Sequence, residues 1–198
     1  MEEFIASTIF FIKSLGLTGG FISVFLIFVE AFIPMLPLIA FVSVNIVIFG
    51  ILPGFVLSSI STIIGGSVVF LLSRKFFKSR VIVYLEKHPK FKIIKSLKTG
   101  LDKISLPGLS LIIACPFTPS FVINIGGGLS NMSFAKYIAS MIIGKFCMIY
   151  FIVFVGTNLV EVFNNPIAIL KIILAFVFAY ILSLIANNIT KKYIEKGE

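Results

Sequence analysis

Two charged residues of opposite sign lie inside long apolar stretches of this sequence. Glu30 is the one charged residue between positions 14 and 73, and Lys145 lies about twelve residues into an apolar segment that begins at position 133. A carboxylate near the centre of a bilayer costs about 2.5–3.5 kcal/mol on insertion scales, so such a residue ordinarily has a function: it takes up a proton or pairs with a cation. We therefore predict a Glu30–Lys145 pair. The alternatives are that each side chain reaches the membrane surface along its aliphatic stem, or that Lys145 lines a wet cavity alone.

A Pro-x-x-Pro motif interrupts an apolar run at two places, from Pro34 to Pro37 and from Pro116 to Pro119. Proline lacks a backbone N–H and clashes with the carbonyl four residues earlier, so each motif breaks a helix and frees backbone groups that lipid cannot satisfy. Each motif is followed by a similar segment, Ser-Thr-Ile-Ile-Gly ending at position 65 and Ser-Met-Ile-Ile-Gly ending at position 144. Duplicated broken helices are typical of transporters built from inverted repeats.

The composition places the chain in the membrane. Hydrophobic residues make up 59% of it and charged residues 13%, with a mean hydropathy of +1.14, whereas soluble domains are about 25% charged. We predict one membrane domain over residues 1–198, without a cleavable signal peptide because the chain starts Met-Glu-Glu. Cys115 and Cys147 have no histidine at metal-binding spacing, so we expect neither a zinc site nor a disulfide framework. No cofactor is expected.

Charge predicts the topology. Residues 74–103 contain ten basic residues against Glu86 and Asp102, and basic residues recur near the C-terminus. Excess Lys and Arg in short loops stays on the cytoplasmic side, so both segments are predicted to be cytoplasmic. The connector helix over residues 90–102 has an apolar stripe and a lysine-rich face, which predicts that it lies on an anionic leaflet. Positive-inside topology accounts for the net charge of +9, so no nucleic-acid partner is expected.

Segment lengths predict an all-α, polytopic protein. A helix needs about 20 residues to cross the bilayer, and the pieces around each proline motif are shorter than that. We predict two inverted-repeat re-entrant hairpins and about three full transmembrane helices. Kinked full-length helices are the alternative to the hairpins, and residues 4–15 are predicted to form an interfacial helix. The predicted segments are a first repeat at 18–77, the connector at 78–104, a second repeat at 105–157 and a final helix at 166–190.

In this arrangement the two proline turns meet near the middle of the membrane, form an openable gate and place a site between them. Asn45 and Asn124 follow the motifs and are candidates to bind freed backbone groups or a ligand head group. Five glycines predict close helix packing: Gly65, Gly144, Gly126, Gly127 and Gly128. The backbone N–H groups of the last three, which are consecutive in sequence, could instead bind a lipid phosphate.

The order of these motifs resembles the DedA/VTT superfamily, also called SNARE-associated Golgi protein-like. The resemblance rests on Glu-Ala-Phe-Ile-Pro-Met-Leu-Pro at 30–37, Phe-Leu-Leu-Ser-Arg at 70–74, and Pro-Phe-Thr-Pro at 116–119 leading to Asn124, and it covers about residues 18–160. It implies two facing re-entrant hairpins in a multi-pass plasma-membrane protein that flips or scrambles lipids, with proton coupling through embedded charges. Glu30 matches the acidic position of the family. Arg74 matches the basic end of an aromatic-x-x-x-Arg motif, as a phosphate contact or a structural anchor.

One departure from the family pattern affects the predicted chemistry. Many members carry an arginine shortly before the second proline motif, where this chain has Ile-Ile-Ala-Cys at 112–115. Lys145 could restore that charge from a neighbouring helix. The prediction is a transporter of lipids, anionic phospholipids above all, with a proton as the possible coupling ion. A proton- or cation-coupled carrier of a small soluble solute and a non-transporting membrane scaffold remain the alternatives. The absence of a catalytic constellation argues against an enzyme.

Overall fold

Every regular element in the described part of the chain is a helix. The computed structural model describes residues 14–33, 36–81, 100–116, 118–161 and 167–195, with only the backbone at 159–161, 187 and 190–195. The helices are α1 (Gly16–Glu30), α2 (Leu38–Phe49), α3 (Ile51–Leu72), α4 (Leu106–Ala114), α5 (Ser120–Leu129), α6 (Phe134–Glu161) and α7 (Ile167–Glu195).

Among the described residues, three helices are long and apolar enough to cross a membrane: Ile51–Val81, Phe134–Asn158 and Ile167–Ala186. This confirms the prediction of a polytopic, all-helical membrane protein. The first crossing extends beyond α3 through a π-helical turn, Ser73–Phe77, to Val81. A π-turn inserts an extra residue into the helical repeat and often marks a functional position.

The chain folds into two compact units. Unit 1 contains residues 1–65 and 149–175, and unit 2 contains residues 66–148 and 176–198. Each unit includes one helical hairpin followed by half of a long helix, so the predicted repeat order of short helix, proline turn, short helix and long helix is present in the chain.

In unit 1, helices α1 and α2 pack against each other. The Ser23 hydroxyl donates to the backbone carbonyl of Phe41 at 2.8 Å, and the rings of Phe21 and Phe49 have centroids 6.4 Å apart. Gly50, with a φ of +89°, ends α2 and turns the chain directly into α3, because glycine adopts positive φ without a steric penalty.

In unit 2, hydrogen bonds hold the second hairpin at both of its ends. Ser105 caps the start of α4 by accepting a hydrogen bond from the Gly108 N–H at 3.3 Å. At the other end, the backbone N–H and side-chain amide of Asn131 donate to the Asp102 carboxylate at 2.5 and 3.2 Å. The two ends of the hairpin, 29 residues apart in sequence, are therefore joined. The hairpin packs on a buried cluster that includes Phe70, Leu109, Ile112, Tyr137 and Met141.

The glycine that ends each repeated signature makes the same contact in both units. A Cβ on Gly65 would lie 2.7 Å from the Phe28 carbonyl oxygen and 3.0 Å from the Ala31 Cβ. A Cβ on Gly144 would lie 2.8 Å from the Ser110 carbonyl oxygen and 2.6 Å from the Ile113 Cβ. In each repeat the contacted residues stand six and three positions before the first proline of the motif. The sequence repeat is therefore also a repeat of packing.

Some predictions fall outside the described residues. These are most of the interfacial helix at 4–15, the first proline of the Pro34–Pro37 turn, most of the basic connector, and the last residues of the C-terminal segment.

Candidate functional site

A buried lysine contacts the first residue of helix α5. Lys145 lies in α6, is 1% exposed and donates from Nζ to the Ser120 hydroxyl oxygen at 2.7 Å. A second contact joins Nζ to the Met148 sulfur at 3.7 Å. A lysine at such a depth in an apolar helix is costly to insert into a membrane, so this position is a functional-site candidate by the ordinary rule for intramembrane charges.

The lysine lines a small pocket in unit 2, beside the second proline turn. The empty space is about 190 Å³, including the part that is open at the surface, and the side chains stand too close together for a water molecule to fit between them. Four of the lining side chains carry polar groups and three are apolar. The lining residues are Thr118, Ser120, Asn124 and Lys145, with Ile113, Ile123 and Met141.

The middle of α5 is held by a buried hydrogen bond. The Tyr137 hydroxyl donates to the Asn124 side-chain carbonyl at 2.8 Å, and both residues are almost fully buried. The Tyr137 ring stacks on Phe70, with centroids 4.1 Å apart. A Cβ on Gly66 would lie 3.2 Å from the Asn124 amide nitrogen, so a small residue is needed on α3 where the amide packs.

The end of α5 is capped by an arginine from the π-helical turn. Nη2 of Arg74 donates to the carbonyls of Gly127 at 3.2 Å, Ser130 at 3.3 Å and Met132 at 2.5 Å, and Nε donates to that of Gly128 at 3.3 Å. The last carbonyls of a helix have no intrahelical partner and carry partial negative charge, so a cation there is stabilising. The guanidinium also lies 4.4 Å from the Phe70 ring centroid. This is the geometry of a structural anchor.

The close approach of the π-helical turn to α5 depends on glycine. A Cβ on Gly128 would lie 2.5 Å from the Phe70 carbonyl oxygen and 2.7 Å from the Ser73 Cβ, so no larger residue fits without backbone movement. One turn further along, the Lys78 ammonium donates to the Ser130 carbonyl at 2.9 Å and to the Asn131 side-chain oxygen at 3.0 Å. The carbonyls at this end of α5 are thus occupied by protein cations.

In unit 1, the polar residues form a separate group. The Asn45 amide nitrogen donates to the Ser58 hydroxyl at 3.0 Å, and both side chains are fully buried. Within the described residues the Asn45 carbonyl oxygen has no hydrogen-bond partner. Glu30 is half-buried and ends α1. Glu30 and Lys145 belong to different units, so their pairing stays a prediction.

Sequence reasoning identified the charges in unit 2 but missed several of their partners. Lys145, Arg74, Asn124 and the glycine triplet were candidates, whereas Ser120 and Tyr137 were not. Ser120 follows the second proline motif directly, and its place at the start of a helix was a signal for it. The described residues contain no group of three or more His, Cys, Asp or Glu that could hold a metal ion. Cys115 and Cys147 are free thiols.

Comparison with known proteins places these features in a family. The family model of the VTT domain matches residues 33–158. An uncharacterized membrane protein, YhjE of Bacillus subtilis (strain 168), is 34% identical over 149 residues, which are 75% of this chain and 70% of the relative. An uncharacterized protein, YqeD of the same organism, is 25% identical over 147 residues, which are 74% of this chain and 69% of the relative. No solved structure gives a significant match.

Proposed function

Because this chain belongs to the VTT-domain family, we propose that it is a membrane lipid transporter in which the second hairpin admits a polar head group between α5 and α6. The proposal places the protein in the plasma membrane, with the basic connector and the C-terminus on the cytoplasmic side. The proposed function includes no enzymatic reaction.

The observation that carries the proposal is the small, partly polar pocket at Lys145. Its ammonium and the Asn124 amide lie within helices whose other side chains are mostly apolar. Burying such groups costs free energy that hydrogen bonds offset only in part, and charged residues kept within membrane segments ordinarily serve binding or transport. Both groups also lie beside a proline turn, where the helical hydrogen-bond ladder is already interrupted and movement costs fewer backbone bonds.

The hairpin geometry supports transport rather than a fixed scaffold. Since Asp102 and Asn131 join the two ends of the hairpin, we infer that the hairpin returns to the side it entered, with its proline turn at depth. The short helices α4 and α5, of 9 and 10 residues, are each too short to cross alone.

The test is reconstitution of the purified protein into liposomes with fluorescent phospholipids of several head groups. Dithionite bleaches only the outer leaflet, so protein-dependent lipid movement appears as bleaching beyond the half seen in empty liposomes. We expect movement in wild type, a clear loss in Lys145→Met and an effect of Glu30→Gln under an imposed pH gradient. The control is Lys136→Met, because Lys136 lies on the same helix but outside the pocket lining.

The same liposomes separate the alternative functions. Bleaching that matches empty liposomes for all head groups, with and without the gradient, would contradict lipid transport. Uptake of a soluble anion without lipid movement would identify a solute carrier. Wild-type behaviour of Glu30→Gln and Lys145→Met together with loss of function on changing the connector lysines would identify a scaffold.

A further inference from the structure

The second helix of each hairpin, α2 or α5, carries a buried asparagine. Asn45 and Asn124 occupy equivalent positions, because each stands the same distance before the glycine that ends its repeated signature. Each amide bonds to the side chain 13 positions further along, Asn45 to Ser58 and Asn124 to Tyr137. The two bonds run in opposite senses. Tyr137 donates to the amide oxygen of its asparagine, whereas Ser58 accepts from the amide nitrogen.

The Asn45 side-chain oxygen therefore lacks the donor that its counterpart in the second repeat has. It has no hydrogen-bond partner within the described residues, and the residue is 0% exposed. A buried acceptor without a donor costs free energy, since the group has lost its hydrogen bonds to water. Such groups are few in folded proteins, and a bound ion or water is one explanation for them.

The C-terminal end of α2 differs from that of α5 in the same direction. At the end of α5, the side chains of Arg74 and Lys78 donate to backbone carbonyls. Helix α2 has no basic residue in its last turn. By the spacing of the repeat, Val153 of unit 1 stands where the first long helix has Arg74. The last carbonyls of a helix carry partial negative charge, so the first repeat has negative potential where the second has its own cations.

We propose that unit 1 binds an alkali metal cation, Na⁺ or K⁺, with the side-chain oxygens of Asn45 and Ser58 among its ligands. The inference goes beyond the proposed function, because the site lies in unit 1 and involves no lipid. The cation supplies the positive partner that the Asn45 oxygen lacks, as the Tyr137 hydroxyl does for Asn124. The end of α2, one turn past Asn45, adds favourable potential.

The chemistry of this part of unit 1 suits a monovalent cation. The side chains of Ser58, Ser59 and Thr62 on α3 are buried and neutral. Ser59 and Thr62 donate to carbonyls of their own helix, so their oxygens remain acceptors. Positions 31–73 contain no charged residue, so a divalent cation would be desolvated without a counter-charge. Neutral carbonyl oxygens and the C-terminal ends of short helices bind alkali cations in channels and transporters.

The experiment measures cation-dependent stabilisation of the full chain in detergent micelles. Thermal unfolding is followed as NaCl or KCl replaces N-methyl-D-glucamine chloride at constant ionic strength and pH. A cation that binds only the folded state raises the unfolding temperature in a saturable way, and N-methyl-D-glucamine is too large for a buried site. The variants are Asn45→Leu, Asn45→Asp, Ser58→Ala and the matched control Ser43→Ala. Ser43 is exposed on the same helix and donates to the Ile39 carbonyl at 2.9 Å.

We expect saturable stabilisation of wild type and Ser43→Ala. Asn45→Leu should abolish the response, and Ser58→Ala should weaken the apparent affinity about tenfold, as for the loss of one hydrogen bond. Asn45→Asp should bind the cation more tightly than wild type, because a carboxylate attracts it more strongly than an amide does. If Asn45→Leu does not fold, the other two variants decide, since wild-type affinity in both would overturn the site.

The two salt arms identify the ion. The cation that saturates the response at the lower concentration, Na⁺ or K⁺, is the one that the site prefers. If neither salt stabilises the protein more than N-methyl-D-glucamine chloride does, the proposal is overturned, and a buried water is left to satisfy Asn45. A response that persists in Asn45→Leu and is lost in Glu30→Gln also overturns it, because the cation then binds at Glu30.

This test is separate from that of lipid transport. Saturable cation binding without lipid movement in liposomes would keep the site and reject the proposed function. Lipid movement by a protein that shows no cation response would reject the site and keep the function.

Discussion

Arg74 shows how one cation can serve structure in a protein where cations are costly. Its guanidinium donates to four carbonyls at the end of α5 and packs on the Phe70 ring. The planar fork of arginine supplies enough donors to reach several carbonyls at once. The resemblance to the DedA/VTT family left open whether this residue contacts phosphate or anchors the fold, and the geometry favours the anchor.

Removing this cap should destabilise the protein. Arg74→Ala removes the guanidinium donors from four carbonyls, of which those of Gly127 and Ser130 keep another donor, so we expect the free energy of unfolding to fall by about 1–3 kcal/mol. Arg74→Lys should restore only part of this, because one ammonium cannot span the same acceptors. Lys75→Ala, at an exposed neighbouring cation, should stay within about 0.5 kcal/mol of wild type. Denaturant titration in mixed micelles measures all three.

A different result would change the assignment of Arg74. If Arg74→Ala is as stable as wild type but moves no lipid in liposomes, then the arginine contacts the ligand and does not act as an anchor.

At the scale of the elements, the repeated glycines set the distance between each long helix and its hairpin. Gly65 and Gly144 face equivalent positions on α1 and α4, and in both cases a Cβ would meet the backbone carbonyl six residues before the first proline. Missing side chains let membrane helices approach closely and gain dispersion contacts. The helix before each proline motif is therefore in close contact with a glycine, Gly65 or Gly144, that is more than 30 residues away in sequence.

Adding a methyl group at these positions should overpack the contact. We expect Gly65→Ala and Gly144→Ala each to cost about 1–3 kcal/mol in the free energy of unfolding. The matched control is Gly156→Ala in α6, where a Cβ would meet nothing within 4 Å and where alanine is the better helix former by about 1 kcal/mol. Thermal unfolding in micelles should show two destabilised variants and one neutral or stabilised variant. Equal stability of all three would show that neither contact is tight.

At the scale of the whole molecule, the second hairpin and the charge pattern together predict which segments share a side of the membrane. Because Asp102 and Asn131 are joined, we propose that positions 103 and 131 face the same compartment and, by the positive-inside rule, that this compartment is the cytoplasm. On this proposal helix α6 carries the chain across the membrane, and α7, whose apolar window is only 11% buried, carries it back.

Cysteine labelling in cells checks this topology. In a background with Cys115 and Cys147 replaced by alanine, Lys103→Cys and Asn131→Cys should react with a maleimide only after permeabilisation. Asn164→Cys, in the segment between α6 and α7, should react from outside in intact cells. Labelling of positions 103 and 131 from opposite sides would rule out the returning hairpin, and labelling of both from outside would reverse the orientation.

Much of this architecture was accessible from the sequence because its signals are local. Apolar length predicted the membrane class and the long helices, and both are confirmed in the described part of the chain. The motif order around Pro116 and Arg74 predicted the family, which is also confirmed. The hairpins as re-entrant, inverted elements stay predictions.

The sequence alone therefore determined the membrane-protein class, the long helices, the sequence repeat and which charged residues lie in apolar segments. Only the tertiary structure decided that Arg74 caps one end of α5 while Lys145 meets the other. Local patterns report the free energy of burying a segment in lipid, which depends on composition and length. Which donor reaches which acceptor depends on contacts between residues 25 and 58 positions apart, such as Lys145 with Ser120 and Arg74 with Met132. Those contacts form only when the helices pack.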